Sequence, residues 1–362
     1  MVVFGLTISS SWGNGHATLW RGLCNALSRR GWEVVFFERD VPYYAASRDL
    51  HAIPGGSLVL YEHWDEARIS ARQHLREADV AMVTSYCPDG IAATDLVLSC
   101  GRARTIFYDL DTPVTLSRLA RGEAMTYIGP RALRDFDLVL SFTGGDALGQ
   151  LRNRLGARRT APLYGHVDPD VHRPSISSPA FTGDLSYLGT YAPDRQDALE
   201  QLFVAAAREL PEQRFVIGGA QYPQNFPWTT NIHFVRHLPP ADHSAFYASS
   251  RLTLNITREA MRTMGWCPSG RLFEAAACGA AILTDSWQGL DDFFQPGNEV
   301  LVARTLADTI AVLDRPDAEL RRIGEAARAR VLQDHTSDRR AEELERLIGD
   351  TSSFVDVRAV GA

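Results

Sequence analysis

Short apolar runs alternate with amphipathic stretches along nearly the whole chain, and this alternation is broken once. In the first half the runs are Val2–Leu6, Glu33–Phe37, Val80–Ser85, Thr105–Tyr108 and Leu138–Phe142, and an amphipathic stretch from Ala17 to Arg30, stopped by Gly31, separates the first two. Nearly continuous Val, Ile, Leu and Phe read as strands buried on both faces, and their alternation with helical stretches predicts parallel βαβ units. The pattern fails over Tyr164-Gly-His-Val-Asp-Pro-Asp-Val-His-Arg-Pro174 and the Ser- and Pro-rich residues 175–179. It then restarts with Leu185–Leu188, a helix over Gln196–Leu210, and the runs Phe215–Gly218, Ile232–Val235 and Leu252–Ile256. From Thr305 onward the chain is mostly helical, with Arg321–Gln333 as a solvated amphipathic face. A chain of 362 residues is too long for one ordinary core. The reading is therefore two α/β domains, residues 1–172 and 173–340, with 341–362 a C-terminal helix and tail able to return to the first.

Composition narrows the classes. Hydrophobic content of 45% with 22% charged residues is that of a globular protein, and a formal charge of -7 argues against nucleic-acid binding through bulk charge. No apolar run is long enough to span a bilayer, and Val2-Val-Phe-Gly-Leu-Thr7 reads as a first strand rather than a signal peptide. Five cysteines, Cys24, Cys87, Cys100, Cys267 and Cys278, form no Cys-x-x-Cys pair and leave one over, so a disulfide framework is not expected and the cytoplasm is the default compartment.

The most informative segment is Pro268-Ser-Gly-Arg-Leu-Phe-Glu-Ala-Ala-Ala-Cys-Gly279, followed by the apolar strand Ala280–Leu283. Pro268 and Ser269 start helices well, and Gly279 sits where a left-handed C-cap is wanted. Ser269, Gly270 and Arg271 then lie at a helix N-terminus, where free N–H groups and the helix dipole favour an anion such as phosphate. Glu274 falls about one turn inward on nearly the same face. That arrangement suits a nucleoside diphosphate, with phosphates on the helix end and ribose hydroxyls donating to the glutamate.

At these residues the chain resembles a known family. The block Arg271–Gly279, then Leu283-Thr-Asp, Gly289-Leu-Asp-Asp-Phe-Phe and Glu299-Val-Leu-Val, is similar to the donor half of GT-B glycosyltransferases. The resemblance is nearest to the spore-maturation CgeB-like branch, whose donor domain is related to the retaining GT4 group. Ser9-Ser-Ser-Trp-Gly-Asn-Gly-His-Ala17 and Phe37-Glu-Arg-Asp-Val-Pro-Tyr43 extend it into the first half. The resemblance implies two Rossmann-like domains facing each other across a cleft. It implies transfer of a sugar from a nucleotide-diphosphate donor substrate, with retention of configuration, no metal ion and no further cofactor. Gly13, Asn14, Gly15 and His16 would face the acceptor and the reacting sugar. Gly189, Thr190, Ser269, Gly270, Arg271 and Glu274 would bind the donor. His16, Arg195 and Arg271 would be the catalytic set. Sugar, base and acceptor (carbohydrate, lipid, protein or small metabolite) stay open.

Two departures stand out. Leu188-Gly-Thr-Tyr-Ala-Pro-Asp-Arg195 occupies the place where GT4-like enzymes carry Gly-Arg and, five residues later, a Lys that neutralises the departing diphosphate; here Thr190 replaces the first cation and Arg195 holds the second position. The paired glutamates of that group, spaced E-x7-E, keep only Glu274, because Trp266 holds the first position. Glu259 and Asp285 are candidate substitutes, and Arg258, Arg262 and Trp266 form either a loop over the donor or a plain surface loop.

Other residues carry competing readings. His16 can take a proton from an acceptor hydroxyl or merely contact the sugar, and contact is favoured. Gly13-Asn-Gly15 is a weak dinucleotide signal, since Thr18 stands where a third glycine belongs. Asp109-Leu-Asp111 matches a short cation-binding pattern but reads as an acceptor-side or structural pair. His63, His74, His233 and His237 show no metal-ligand spacing, and His166 and His172 flank the linker as structural residues. Two further functions remain: a nucleotide-sugar epimerase on the same fold, and a non-catalytic assembly factor that binds a sugar nucleotide.

Overall fold

The computed structural model describes residues 1–350, so the tail expected over 351–362 lies outside the described residues. The first sheet is built from β1 (Val2–Gly5), β2 (Val35–Arg39), β3 (Ser57–Tyr61), β4 (Val80–Thr84), β5 (Arg104–Asp109), β6 (Leu138–Ser141) and β7 (Thr160–Pro162). The second holds β8 (Gly183–Leu188), β9 (Phe215–Gly219), β10 (Ile232–Arg236), β11 (Ser250–Asn255), β12 (Ile282–Thr284) and β13 (Leu301–Val302). Every pairing is parallel, in the orders β3-β2-β1-β4-β5-β6-β7 and β10-β9-β8-β11-β12-β13. In each sheet the chain builds outward one way, then returns past the first strand to build the other way. The strand ends at that reversal splay apart, which is where open α/β sheets bind ligands.

Side chains alternate across each strand, so one apolar run feeds two cores. On one face of the first sheet Val3, Phe36, Met82, Ile106 and Leu138 pack with Trp20, Leu23 and Leu27 of the helix His16–Arg29. On the other, Val2, Phe4, Phe37, Val83 and Phe107 pack with Ala71, Leu75 and Val97. The second sheet is sandwiched likewise, with Phe203 and Ile323 on one face and Phe246, Leu272 and Phe273 on the other. The helix Asp317–Asp334 buries Ile323, Gly324, Ala327 and Val331, so the Ala- and Arg-rich stretch is solvated on its outer side only.

Three strands have weak sequence signals. β3 and β7 are edge strands, β3 half exposed and β7 three residues ending in Pro162, and β13 is two residues long. The helix beginning at Gln196 contains a π-helical turn over Glu200–Val204.

The chain crosses between the sheets twice, side by side. Val167 N–H donates to the His335 carbonyl at 3.0 Å and Ser337 N–H donates back to Val167 at 2.8 Å. His166 Nδ1 meets Ser337 Oγ at 2.9 Å. The return thus comes at 335–337, just before the boundary drawn at 340. The helix Ser337–Gly349 then lies on the first domain, with Ala341, Leu344 and Leu347 in its core and Trp32 Nε1 donating to Glu345 at 2.8 Å. All five cysteines are free thiols. No helix among the described residues is long and apolar enough to cross a membrane.

Candidate functional site

A cleft of about 530 Å³ lies between the sheets, lined from both sides by the loops at the two reversal points. The first domain contributes Gly13–His16 after β1, Tyr86 after β4 and Asp111 after β5. The second contributes Gly189, Thr190 and Arg195 after β8, Arg258 after β11, His243, and the segment Pro268–Arg271 with Glu274.

The Ser9–His16 loop is held from below by Glu38, at the C-terminal end of β2. This carboxylate is buried and accepts four hydrogen bonds: Thr7 Oγ1 at 2.6 Å, Ile8 N–H at 2.8 Å, Ser9 N–H at 3.0 Å and Ser9 Oγ at 2.5 Å. Asn14 is turned inward as well. Its Nδ2 donates to the carbonyls of Thr7 and Ser10, and its Oδ1 accepts the His16 N–H at 3.1 Å, so its side chain shapes the loop. Gly13 needs its glycine, with φ at +60° and the Tyr43 hydroxyl 3.0 Å from where a Cβ would stand. Gly15 has open space beside it, facing the cleft.

His16 begins its helix with Nε2 at 3.8 Å from Asp111 Oδ2, and its Nδ1 has no partner. Asp109, one residue before Leu110, is fully buried. Its Oδ1 accepts from Asp111 N–H and Thr115 Oγ1, its Oδ2 has no partner, and burial pushes the carboxyl up to about 7. The Asp-x-Asp pair is therefore split, with one carboxylate under the strand end and one in the cleft beside the histidine.

In the second domain Gly270 begins the helix Gly270–Ala277 with open space around it and Ser269 as its N-cap. Arg271 turns back into the protein. Its Nη1 donates to the Leu188 carbonyl at 2.6 Å, Nη2 to the Ile256 carbonyl at 3.3 Å and Nε to Ser269 Oγ at 3.2 Å. It ties the ends of β8 and β11 together at the reversal point. Gly189 accommodates it: a Cβ there would stand 2.6 Å from Arg271 Nη1. Arg195 donates Nη2 to the Thr190 carbonyl at 2.8 Å and leaves Nε without a partner; burial, together with the Arg271 and Arg258 cations, lowers its pKa. Arg258, paired with Asp194 at 2.8 Å, is a further cation on the wall; burial alone would lower its pKa, but the carboxylate of Asp194, with that of Asp111, raises it.

Glu274 sits deeper, with Oε2 at 3.7 Å from His243 Nδ1. Burial would raise its pKa, but His172, His243 and Arg271 outweigh that and hold the carboxyl below the usual range. Burial also pulls His172 below its ordinary value.

Trp266 does not line the donor seat. It adopts φ +43°, its carbonyl accepts the Gly144 N–H at 2.9 Å, and its ring fills the space beside Gly145 and Gly289. The position expected to hold the first glutamate of the E-x7-E spacing is here a bracket between the domains. Of the candidate substitutes, Asp285 is occupied in accepting from Thr257 N–H and Oγ1, and Glu259 opens a short helix. Trp12 against His237, with ring centroids 3.8 Å apart and the planes tilted by 51°, and Gln221 donating to the Tyr43 hydroxyl at 3.2 Å, also bridge the domains. Arg258, expected either over the donor or in a plain surface loop, lines the cleft, while Tyr86 and His243 join the site without any contiguous motif to mark them. Tyr86 alone carries a local sign, its φ of +64°, which no sequence pattern displays.

Residues 195–346 match the family model described as glycosyl transferase-like. No curated protein matches the chain in sequence. Similar solved structures each align over 96% of this chain. They include the sucrose-phosphate synthase of Thermosynechococcus elongatus (16% identity, TM-score 0.71, 97% of that chain). Anabaena HepE in complex with UDP and glucose is another (14%, 0.68, 98%). A third is an alpha-glucosyltransferase in complex with UDP and a 13-mer DNA (11%, 0.67, 98%). At such identities the likeness is one of fold: two parallel-sheet Rossmann-like domains in the GT-B arrangement.

Proposed function

We propose that this chain is a glycosyltransferase, nearest the CgeB-like branch and the GT4 group. It moves a sugar from a nucleoside diphosphate in the second domain to an acceptor in the first. The observation that carries the reading is the meeting, in one cleft, of a helix N-terminus at Gly270 that makes no side-chain capping bond and has open space beside it, two nearby cations and a carboxylate one turn inward. The helix end and Arg195 meet the diphosphate, Arg258 adds charge, and Glu274 accepts from the ribose. Arg271 holds the seat together rather than leading the charge stabilisation. Gly189 and Thr190 border the phosphates, and Gly13, Gly15, His16 and Asp111 face the acceptor and sugar. The cations supply the charge that the leaving diphosphate needs, so the reaction is expected to run without a metal ion or other cofactor. A cytoplasmic location goes with this reading.

The GT4 likeness favours retention. The approach of His16 to Asp111 favours a second reading, inversion. His16 Nε2, beside Asp111 in the cleft, accepts the acceptor's hydroxyl proton while the acceptor oxygen bonds the anomeric carbon and the diphosphate departs with the bonding pair, and the Asp111 carboxylate stabilises the imidazolium that forms. NMR of the first-formed anomer decides between them.

The test of the donor site is thermal unfolding against UDP, GDP, dTDP, ADP and CDP, with UDP first because two of the similar structures hold it. A nucleotide at about 100 times its Kd adds roughly 2.7 kcal/mol to the folded state. One nucleotide should stabilise the wild type, and Arg195→Ala and Glu274→Gln should weaken the response. No shift with any of them at millimolar concentration would sink the reading. Rapid complete turnover of a sugar nucleotide without acceptor would instead mark an epimerase, and nucleotide binding without turnover an assembly factor.

A further inference from the structure

Beneath the nucleotide half of the cleft, three Lewis-basic atoms from three separate elements converge. His172 comes from the segment that crosses between the domains, His243 from the helix Pro240–Ala248, and Glu274 from the helix Gly270–Ala277. His172 Nε2 lies 3.5 Å from His243 Nδ1, and His243 Nδ1 lies 3.7 Å from Glu274 Oε2. The three ligand atoms all lie within 4.8 Å of one another. These separations are long for hydrogen bonds, whose heavy-atom distances centre near 2.9 Å. They are close to the spacing of ligands around one tetrahedral ion: with metal–nitrogen distances of about 2.0–2.1 Å, neighbouring ligands stand roughly 3.3–3.4 Å apart.

We propose that His172, His243 and Glu274 form a binding site for a divalent transition metal of the zinc class. Two imidazoles and a carboxylate are the borderline donor set that such ions select over magnesium or calcium, which prefer oxygen alone. His172 and Glu274 are buried, which fixes their side chains, while His243 and Glu274 line the cleft and give the ion an entry path. The buried hydroxyl of Tyr247, which has no partner, lies in the same neighbourhood, with its ring centroid 6.4 Å from that of His243. The site is separate in kind from a metal that bridges a sugar diphosphate, because it lies against the residue assigned to the ribose. Metal on Glu274 takes the lone pairs that the ribose diol needs. Metal and nucleotide therefore compete, and zinc inhibits an enzyme that otherwise needs no metal. The metal site stands without the transferase reading; only the competition rests on it.

The test is titration of the chelator-stripped full chain with zinc chloride against a chromophoric competing chelator. His243→Gln and Glu274→Gln are the ligand variants, and His233→Ala, on the exposed edge strand, is the control. The wild type and the control should bind one equivalent of zinc with equal affinity. Loss of one direct ligand should weaken binding by at least the roughly 10–100-fold that losing an outer-shell partner costs. Near-UV circular dichroism of each metal-free variant confirms that it is folded. Binding of no zinc by the wild type, or equal binding by folded His243→Gln, overturns the site. The transferase reading is judged separately by UDP binding to the metal-free protein. Zinc bound with UDP unaffected would remove the competition and leave the site.

Discussion

Glu38 offers the sharpest link between a buried interaction and the cleft. In Glu38→Ala four donors lose their acceptor, but they are not equal. The Thr7 and Ser9 hydroxyls can rotate toward other partners, and each already accepts a bond, from Ser10 N–H at 3.3 Å and Arg48 Nε at 3.2 Å respectively. The backbone N–H groups of Ile8 and Ser9 cannot turn, and both residues are fully buried. Each orphaned donor costs about 1–3 kcal/mol, so the substitution should destabilise the chain by roughly 2–6 kcal/mol. That is a large share of a typical total of about 5–15 kcal/mol. Glu38→Gln should cost only about 1 kcal/mol, because its amide oxygen can face the two N–H groups while its NH₂ faces the rotatable hydroxyls.

Urea melts followed by tryptophan fluorescence give the global loss. Hydrogen exchange over residues 6–16 reads the loop itself. UDP affinity should stay within about twofold in folded Glu38→Gln, because the proposed nucleotide seat belongs to the other domain; sugar transfer should fall in step with loop protection. A loss below about 1 kcal/mol in Glu38→Ala, or equal losses in the two variants, would refute the acceptor argument.

Three further outcomes follow from the same geometry. Gly270→Ala places a methyl group in open space at a helix start, so Tm should hold or rise slightly while the nucleotide-induced shift shrinks; an unchanged nucleotide response would move the phosphates elsewhere. Trp266→Ala removes a partly buried ring wedged between Gly145 and Gly289, and should cost about 1–3 kcal/mol, less than the roughly 3–5 of a fully buried ring, and uncouple the two domains' melts in calorimetry; one unshifted transition would show that the bracket carries no load. Acid should loosen the double crossing. Burial and the Arg340 cation depress the pKa values of His166 and His335 to about 3 and about 4, below their ordinary 6.5. Their contribution is intact above pH 6.5 and declines as pH falls, because the unfolded chain takes up the protons first, until the folded pKa values are reached. At pH 5 the loss is about 2 kcal/mol per histidine. His335→Phe, which keeps a ring against Phe273, should flatten the Tm–pH profile between pH 6.5 and 4, and an unaltered slope would rule the histidine out.

What could be read from the sequence was whatever lies contiguously along the chain. The helix at Ser269–Gly279 is legible because cap, carboxylate and terminator fall within one short segment, each doing a job that local chemistry dictates. The same holds for the strand–loop–helix at Val2–His16 and for the β strands buried on both faces. The weaker elements fail for a physical reason: β3 is half exposed and β13 has two residues, so neither shows a buried run. Arg271 illustrates a different limit. Its position at the helix start was visible, yet its direction depends on the carbonyls of Leu188 and Ile256, which only the crossing of β8 and β11 places within reach. Trp266 is the mirror case, a residue that looked like a gap in a catalytic pattern and is filled with interdomain packing. The groups that could tune the chemistry are the least legible of all. His16 meets Asp111 because β1 and β5 end on the same edge of the first sheet, His243 and Glu274 meet within the second domain with His172 brought in from the crossing segment, and the two sets share one cleft because the sheets are held together by the paired crossings at Val167 and Thr336. Disturbing those crossings should therefore impair transfer before it impairs nucleotide binding, since the nucleotide seat belongs to one sheet and the reacting groups to both.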